Sequence, residues 1–230
     1  MDARNPIEPE LGQERPEGYI VWALAVLLAV RLIPLLVKAL AAPGAKLFVL
    51  MTLIWAITSV GGPLLLRRWV PGVAGFAIRP WFKVPRDIIG TVGLSVLLVS
   101  WYMTSCWVMR KVGVESGRIY APWDISLEPA FVGRIVGFWI PVLVCPIAEE
   151  IFWRAFCLSQ LEKLLSKGQA LLVASLMFGV YHFQVPGFTV TLVGCGLILG
   201  AWRQKMETLF PPMVAHMVVN ALVVGLQGIS

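Results

Sequence analysis

The sequence predicts an all-α fold, a polytopic transmembrane bundle of seven to eight helical spans around an intramembrane cavity. Three observations predict it. Of the 230 residues 58% are hydrophobic and only 14% are charged, with a mean hydropathy of +0.80, outside the usual range of soluble domains. Apolar runs of about 20 residues, the length needed to cross the hydrocarbon, recur between short charged turns. One such run, C-P-I-A-E-E-I-F-W-R-A-F from Cys145 to Phe156, carries two adjacent carboxylates, Glu149 and Glu150, and the guanidinium of Arg154. A charge near the bilayer centre costs about 2.5–3.5 kcal/mol on insertion scales, so three within six positions need partners or a water-filled cavity.

Residues 1–18 are polar, contain Pro6, Pro9 and Pro16, and are expected to form a short arm ahead of a single transmembrane domain over 19–230. The first span, Tyr19 to about Ala42, is interrupted by Arg31 and Pro34. Arg31 reads either as a bundle-facing residue of a kinked helix or as a substrate-binding arginine. A second span over 46–66 ends on the break signal Gly61-Gly62-Pro63. The loop from Arg67 to Asp87 interleaves Arg67, Arg68, Arg79, Lys83 and Arg86 with Trp69, Trp81 and Phe82, a mixture suited to the headgroup layer. An eighth span fits only if Val70 to Ile78 or part of this loop re-enters the membrane. The third span, Ile88 to Met109, ends in an aromatic belt of Trp101, Tyr102 and Trp107. A polar connection from Arg110 to Pro129 leads into the fourth, about Phe131 to Leu158, with Gly133 and Gly137 spaced for close packing. Ser159 to Lys167 is expected as a charged turn. The fifth span, Gln169 to Phe183, is expected to end at Pro186-Gly187. A sixth, Phe188 to Trp202, repeats the small-residue spacing in Gly196 and Gly200. Leu209 to about Leu226 forms the seventh.

The net charge of +6 and pI near 9.4 do not point to nucleic acid, because the basic residues occupy short turns rather than one amphipathic face. Counted by loop, they favour a cytoplasmic N-terminus. Cys106, Cys145, Cys157 and Cys195 lie in or beside apolar runs without a C-x-x-C pair, so buried free thiols are expected rather than disulfides or a zinc knuckle. No cleavable signal is expected, since the first eighteen residues hold Asp2, Glu8, Glu10, Glu14 and Glu17.

The two histidines of the chain are both intramembrane: His182 in F-G-V-Y-H-F and His216 in A-H-M-V-V-N-A, with Asn220 one turn beyond His216. At 1.5 Å per residue, Glu149 lies roughly 18 Å and His182 roughly 20 Å above the turn near Leu161, and His216 and Asn220 fall at roughly 16–22 Å. Three helices thus place four polar groups at one depth. Glu150 and Arg154, four apart, can pair on one helical face, while Glu149 sits about 100° round the helix. A carboxylate in a partly desolvated cavity is a usable base near neutral pH, able to take a proton from water. A neighbouring histidine can hold that water, and a His and an Asn four apart present two donors to one point, as a developing oxyanion requires. A zinc site of two His and one Glu is the alternative, although the chain lacks H-E-x-x-H. It also lacks a G-x-S-x-G nucleophile elbow. Singly, each of these residues could equally serve as a helix–helix hydrogen bond or structural ion pair.

The ordered set E-E-x-x-x-R (Glu149, Glu150, Arg154), F-x-x-x-H (Phe178, His182) and H-x-x-x-N (His216, Asn220) resembles the CPBP family of glutamic-type intramembrane proteases. That family includes the CAAX prenyl endopeptidases and the Abi self-immunity proteins. The likeness covers about residues 131–225; before that, the chain matches only in being membrane spans. It implies that Glu149 activates water with His182, that His216 and Asn220 form the oxyanion hole, and that Glu150 and Arg154 support them. It further implies a metal-independent peptidase with no cofactor and an all-helical bundle, commonly of eight spans. Ala155 stands where the family often has Gly. The wording E-I-F-W-R and the short chain also resemble members found beside bacterial exosortase sorting systems.

Together these readings give a multi-pass protein of the bacterial inner membrane that cleaves a membrane-anchored protein or peptide, such as a lipidated or sorted C-terminal tail. Its partners are that substrate, the lipid bilayer and an exosortase-type sorting system, with no nucleic acid. Two other classes fit the same residues: a catalytically silent immunity or secretion-scaffold protein, and a transporter using Glu149 and the histidines as a proton relay.

Overall fold

The computed structural model describes residues 53–54, 56–65, 86–114, 138–182 and 186–227. The expected arm, the first span with Arg31 and Pro34, the basic and aromatic loop over 67–85, the connection over 115–129, and Gly133 and Gly137 lie outside the described residues. Among the described residues all the regular structure is helical, in six helices. These are α1 (Ala56–Leu65), α2 (Arg86–Lys111), α3 (138–164), α4 (Lys167–Tyr181), α5 (Pro186–Met206) and α6 (Phe210–Gln227). Asp87–Lys111 is long and apolar enough to cross a membrane by length and composition. Its outward positions Ile89, Val92, Val96 and Trp107 are more than half exposed, an apolar exterior that suits lipid rather than water.

α3 is the centre of the bundle and is not a uniform α-helix. It runs as π-helix over Ile140–Val144, α-helix over Cys145–Glu149, π-helix over Glu150–Cys157 and α-helix over Leu158–Leu164. The i→i−5 bonds that define the π turns are seen in the N–H of Cys145 reaching Ile140 and that of Leu158 reaching Trp153. Such turns are rare and concentrate at functional sites. Glu150 and every residue from Phe152 to Cys157 are buried, as a helix surrounded on all sides requires.

α4 lies along α5, and α2 packs on α5 and α6. Gly196 of α5 faces the Ser175 backbone and Gly200 faces Leu171, so the two glycines of the expected small-residue face do sit at a close helix–helix contact. One buried cluster joins α3 to α4 through Phe152, Trp153, Phe156 and Phe178. A second joins α2, α5 and α6 through Leu94, Leu98, Leu199 and Val219.

Three boundaries differ from expectation. The segment Ser159 to Lys167 is not a turn: α3 continues to Leu164, and only Leu165 and Ser166 separate it from α4. Ser166 starts α4 with a capping box, its backbone N–H donating to Gln169 Oε1 at 3.2 Å while its hydroxyl accepts from the Gln169 N–H. Pro186-Gly187 opens α5 instead of closing α4, because proline at a first helical position loses only an N–H that would lack an intrahelical partner anyway. α5 also runs past Trp202 to Met206, which puts Arg203 against α3. Arg203 Nη1 donates to Glu162 Oε2 at 2.9 Å and Nη2 to the Ser159 hydroxyl, and Gln204 Nε2 bridges Glu162 Oε1 and the Lys167 carbonyl at 2.9 Å each.

Candidate active site

Three helices deliver the polar residues to one place. Glu149 ends the central α-helical segment of α3 and Glu150 begins its second π segment. His182 caps the C-terminus of α4, with φ −100° and ψ 32°, just outside helical geometry. His216 lies within α6. The His182 Nε2 is 3.6 Å from Glu149 Oε1, and the His216 Nε2 is 3.7 Å from Glu149 Oε2. One carboxylate thus stands between both imidazoles of the chain.

These separations exceed a direct hydrogen bond, the range in which a bridging water is to be considered. His182 adds direction. Its Nδ1 is 2.8 Å from the Phe178 carbonyl, an acceptor only, so Nδ1 carries a hydrogen and Nε2 is the nitrogen turned towards Glu149. A water placed between Nε2 and Glu149 Oε1 can bond to both. His182 is about a quarter exposed, so the notch is reached from outside, whereas Glu149 is 7% exposed.

Behind Glu149 lies a fully enclosed charge pair. Glu150 is 0% exposed and Arg154 2%, with Arg154 Nη1 at 3.1 Å from Glu150 Oε1. The same oxygen is 2.9 Å from His216 Nδ1, so His216 touches both carboxylates, Glu150 through Nδ1 and Glu149 through Nε2. The Arg154 guanidinium also stacks 4.3 Å from the centroid of the Phe178 ring. Phe178 therefore supports the site twice, with its ring beneath Arg154 and with its carbonyl on His182.

Asn220 is placed one turn from His216 on α6, and its Nδ2 donates to the backbone carbonyl of Pro141 in α3 at 2.8 Å. The contact between His216 and Glu150 and the Pro141 carbonyl were not foreseen from the sequence. The first had a signal in the adjacency of the two carboxylates, since an imidazole has two nitrogens to offer. A backbone carbonyl carries none, except that Pro141 and Pro146 are five apart. Glu149, His182 and His216 are the side chains a metal ion would need, yet among the described residues no group of three or more His, Cys, Asp or Glu is arranged to hold one.

Residues 131–222 match the model of the Rce1-like family, described as Type II CAAX prenyl endopeptidase Rce1-like. The Rce1-like segment spans less than half of the chain but contains Glu149, Glu150, Arg154, His182, His216 and Asn220. The match supports a hydrolase of the CAAX protease kind, integral to a membrane, and the apolar helix α2 is consistent with that setting. No curated protein and no solved structure matches the chain.

Proposed function

We propose that this protein is an intramembrane endopeptidase in which Glu149 activates a water molecule to hydrolyse a peptide bond. The observation that supports this reading most is the carboxylate of Glu149 set between the Nε2 atoms of His182 and His216 at 3.6 and 3.7 Å. A water in the notch donates to Glu149 Oε1 and His182 Nε2, which leaves an oxygen lone pair free to attack a carbonyl carbon. As the C–O bond forms, Glu149 takes the water proton. The carbonyl oxygen becomes an oxyanion that accepts from His216 Nε2, in its protonated form, and from the amide hydrogen of Asn220 not given to Pro141. Collapse breaks the C–N bond, and Glu149 returns its proton to the leaving nitrogen, giving a carboxylic acid, which keeps the second water hydrogen, and an amine. Glu150 and Arg154 take no proton in this sequence; they hold His216 in place from behind. No step of this reaction requires a metal or cofactor.

The proposed catalytic core covers about 131–225 of a single membrane domain over 19–230. The Rce1-like description names a prenyl endopeptidase, and for this chain the substrate class proposed is the C-terminal tail of a membrane-anchored, lipidated or sorted protein. The exosortase-type sorting system, a bacterial inner-membrane location and seven to eight spans complete the proposal, resting on E-I-F-W-R and the apolar runs.

The test is cleavage of a membrane-anchored peptide by the full chain in proteoliposomes. Glu149→Gln and His182→Ala are each expected to lower kcat by about 10²–10⁴-fold, the scale of general acid–base catalysis, with thermal unfolding unchanged or slightly raised. Cleavage retained in both variants would remove the peptidase reading. Loss of wild-type activity on treatment with a chelator, restored by zinc, would assign Glu149 and the histidines to a metal instead.

A further inference from the structure

Pro141 and Pro146 stand five residues apart in α3, and the consequence is visible in the hydrogen bonds. In an α-helix the Pro141 carbonyl would accept from the N–H of Cys145, but that N–H is drawn to Ile140 by the π turn. In a continuing π-helix it would accept from residue 146, which is proline and has no N–H. The helix thus offers this carbonyl neither donor, and Pro146, which removes the second, is itself buried. A carbonyl inside a protein seeks a partner. It finds Asn220 Nδ2, 2.8 Å away on α6, the helix that also carries His216.

A carboxamide can face either way about its last torsion, because its oxygen and nitrogen are nearly the same size. An acceptor at a fixed point breaks that symmetry. Only the nitrogen end of the carboxamide can donate to the Pro141 oxygen, so Nδ2 is turned to α3, one amide hydrogen is used there, and the second has a defined direction. We infer that Pro146 is a positioning residue: by lacking an N–H it reserves the Pro141 carbonyl for Asn220 and so fixes the orientation of that carboxamide. The consequence for catalysis rests on the reading above, in which Asn220 supplies an oxyanion donor; the orientation itself does not.

The chain holds only two asparagines, Asn5 and Asn220, so selective ¹⁵N-asparagine labelling of the full protein in nanodiscs gives two side-chain amide pairs, separable with Asn5→Ser. In the wild type the Asn220 pair is expected to show one hydrogen-bonded, slowly exchanging proton. Pro146→Ala restores an N–H that competes for the Pro141 carbonyl. The Asn220 pair then loses its shifted proton, and kcat falls about tenfold at unchanged KM. Unfolding temperature does not fall, because an interior helical proline has been removed. A merely structural role would move activity and stability together. In an Asn220→Ala background Pro146→Ala should leave kcat unchanged, and a further tenfold loss there would overturn the inference. An Asn220 amide signal indifferent to Pro146→Ala would also overturn it, whatever activity does. Pro146→Ser restores the same N–H and replaces the alanine variant should that one not fold. Failure of the peptidase reading itself shows separately, as retained cleavage in Glu149→Gln, and leaves the amide measurement standing.

Discussion

Replacing Arg154 with methionine isolates the enclosed charge pair behind Glu149. The two side chains have similar volume, so packing changes little while the cation is lost. Glu150 is 0% exposed and keeps only His216 Nδ1 at 2.9 Å, because its other oxygen, Oε2, has no hydrogen-bond partner among the described residues. Removing one partner of a buried pair typically costs about 3–5 kcal/mol, since the remaining charge is left uncompensated. Loss of the guanidinium stacked 4.3 Å over the Phe178 ring acts in the same direction. At roughly 2–4 °C per kcal/mol for a chain of this size, unfolding in detergent or nanodiscs should begin about 6–20 °C lower. The decisive comparison is the double variant Glu150→Gln/Arg154→Met. Gln can still accept from His216 Nδ1, and no isolated charge remains, so stability should return to within about 1 kcal/mol of the wild type. Cleavage should not return with it, because His216 then faces a neutral amide where the wild type offers a carboxylate. A single variant as stable as the wild type, or a double variant no better than the single, would refute the electrostatic argument.

Two further outcomes follow from packing and capping. Gly179 lies in α4 where a Cβ would run into the Val193 side chain and come within 2.8 Å of the Thr189 carbonyl, so Gly179→Ala should destabilise by about 1–3 kcal/mol in a denaturation series and lower activity through its neighbour Phe178. Ser166→Ala removes the capping-box hydroxyl from α4 and should cost about 1 kcal/mol by the same measurement with kcat little changed, since the cap lies at the far end of that helix from His182.

The helical character was legible because long apolar runs between charged turns favour helices, and α2, α4, α5 and α6 lie within a few residues of the apolar runs read from the sequence. The meeting of Glu149 with both histidines was legible for a related reason, since intramembrane polar groups are costly and few, and depth along a helix can be counted from a shared turn. What could not be read is hydrogen bonding by the backbone. Pro186 reads as a stop because proline ends helices more visibly than it begins them. Ser159 to Lys167 reads as a turn because Glu162 and Lys163 look like surface residues, whereas Glu162 is held by Arg203 and Gln204 from α5. The Phe178 and Pro141 carbonyls, which set the tautomer of His182 and hold Asn220, belong to the main chain and have no residue type to announce them.

The π-helical geometry of α3 explains why one imidazole can serve two adjacent carboxylates. Counted as a uniform α-helix, Glu149 and Glu150 diverge by about 100°, and a partner for one should miss the other. The junction between α and π segments falls between these two residues. A π turn takes more residues to close, so successive side chains diverge less, and both carboxylates lie within reach of His216, one at each ring nitrogen. Their roles separate by what else they touch. Glu150 is enclosed and shares one oxygen between Arg154 and His216, which suits it to hold charge and position. Glu149 faces His182, the more exposed imidazole, across a gap wider than a hydrogen bond, which suits it to exchange a proton with water. Two identical side chains in sequence thereby acquire different chemistry from where a helix changes pitch.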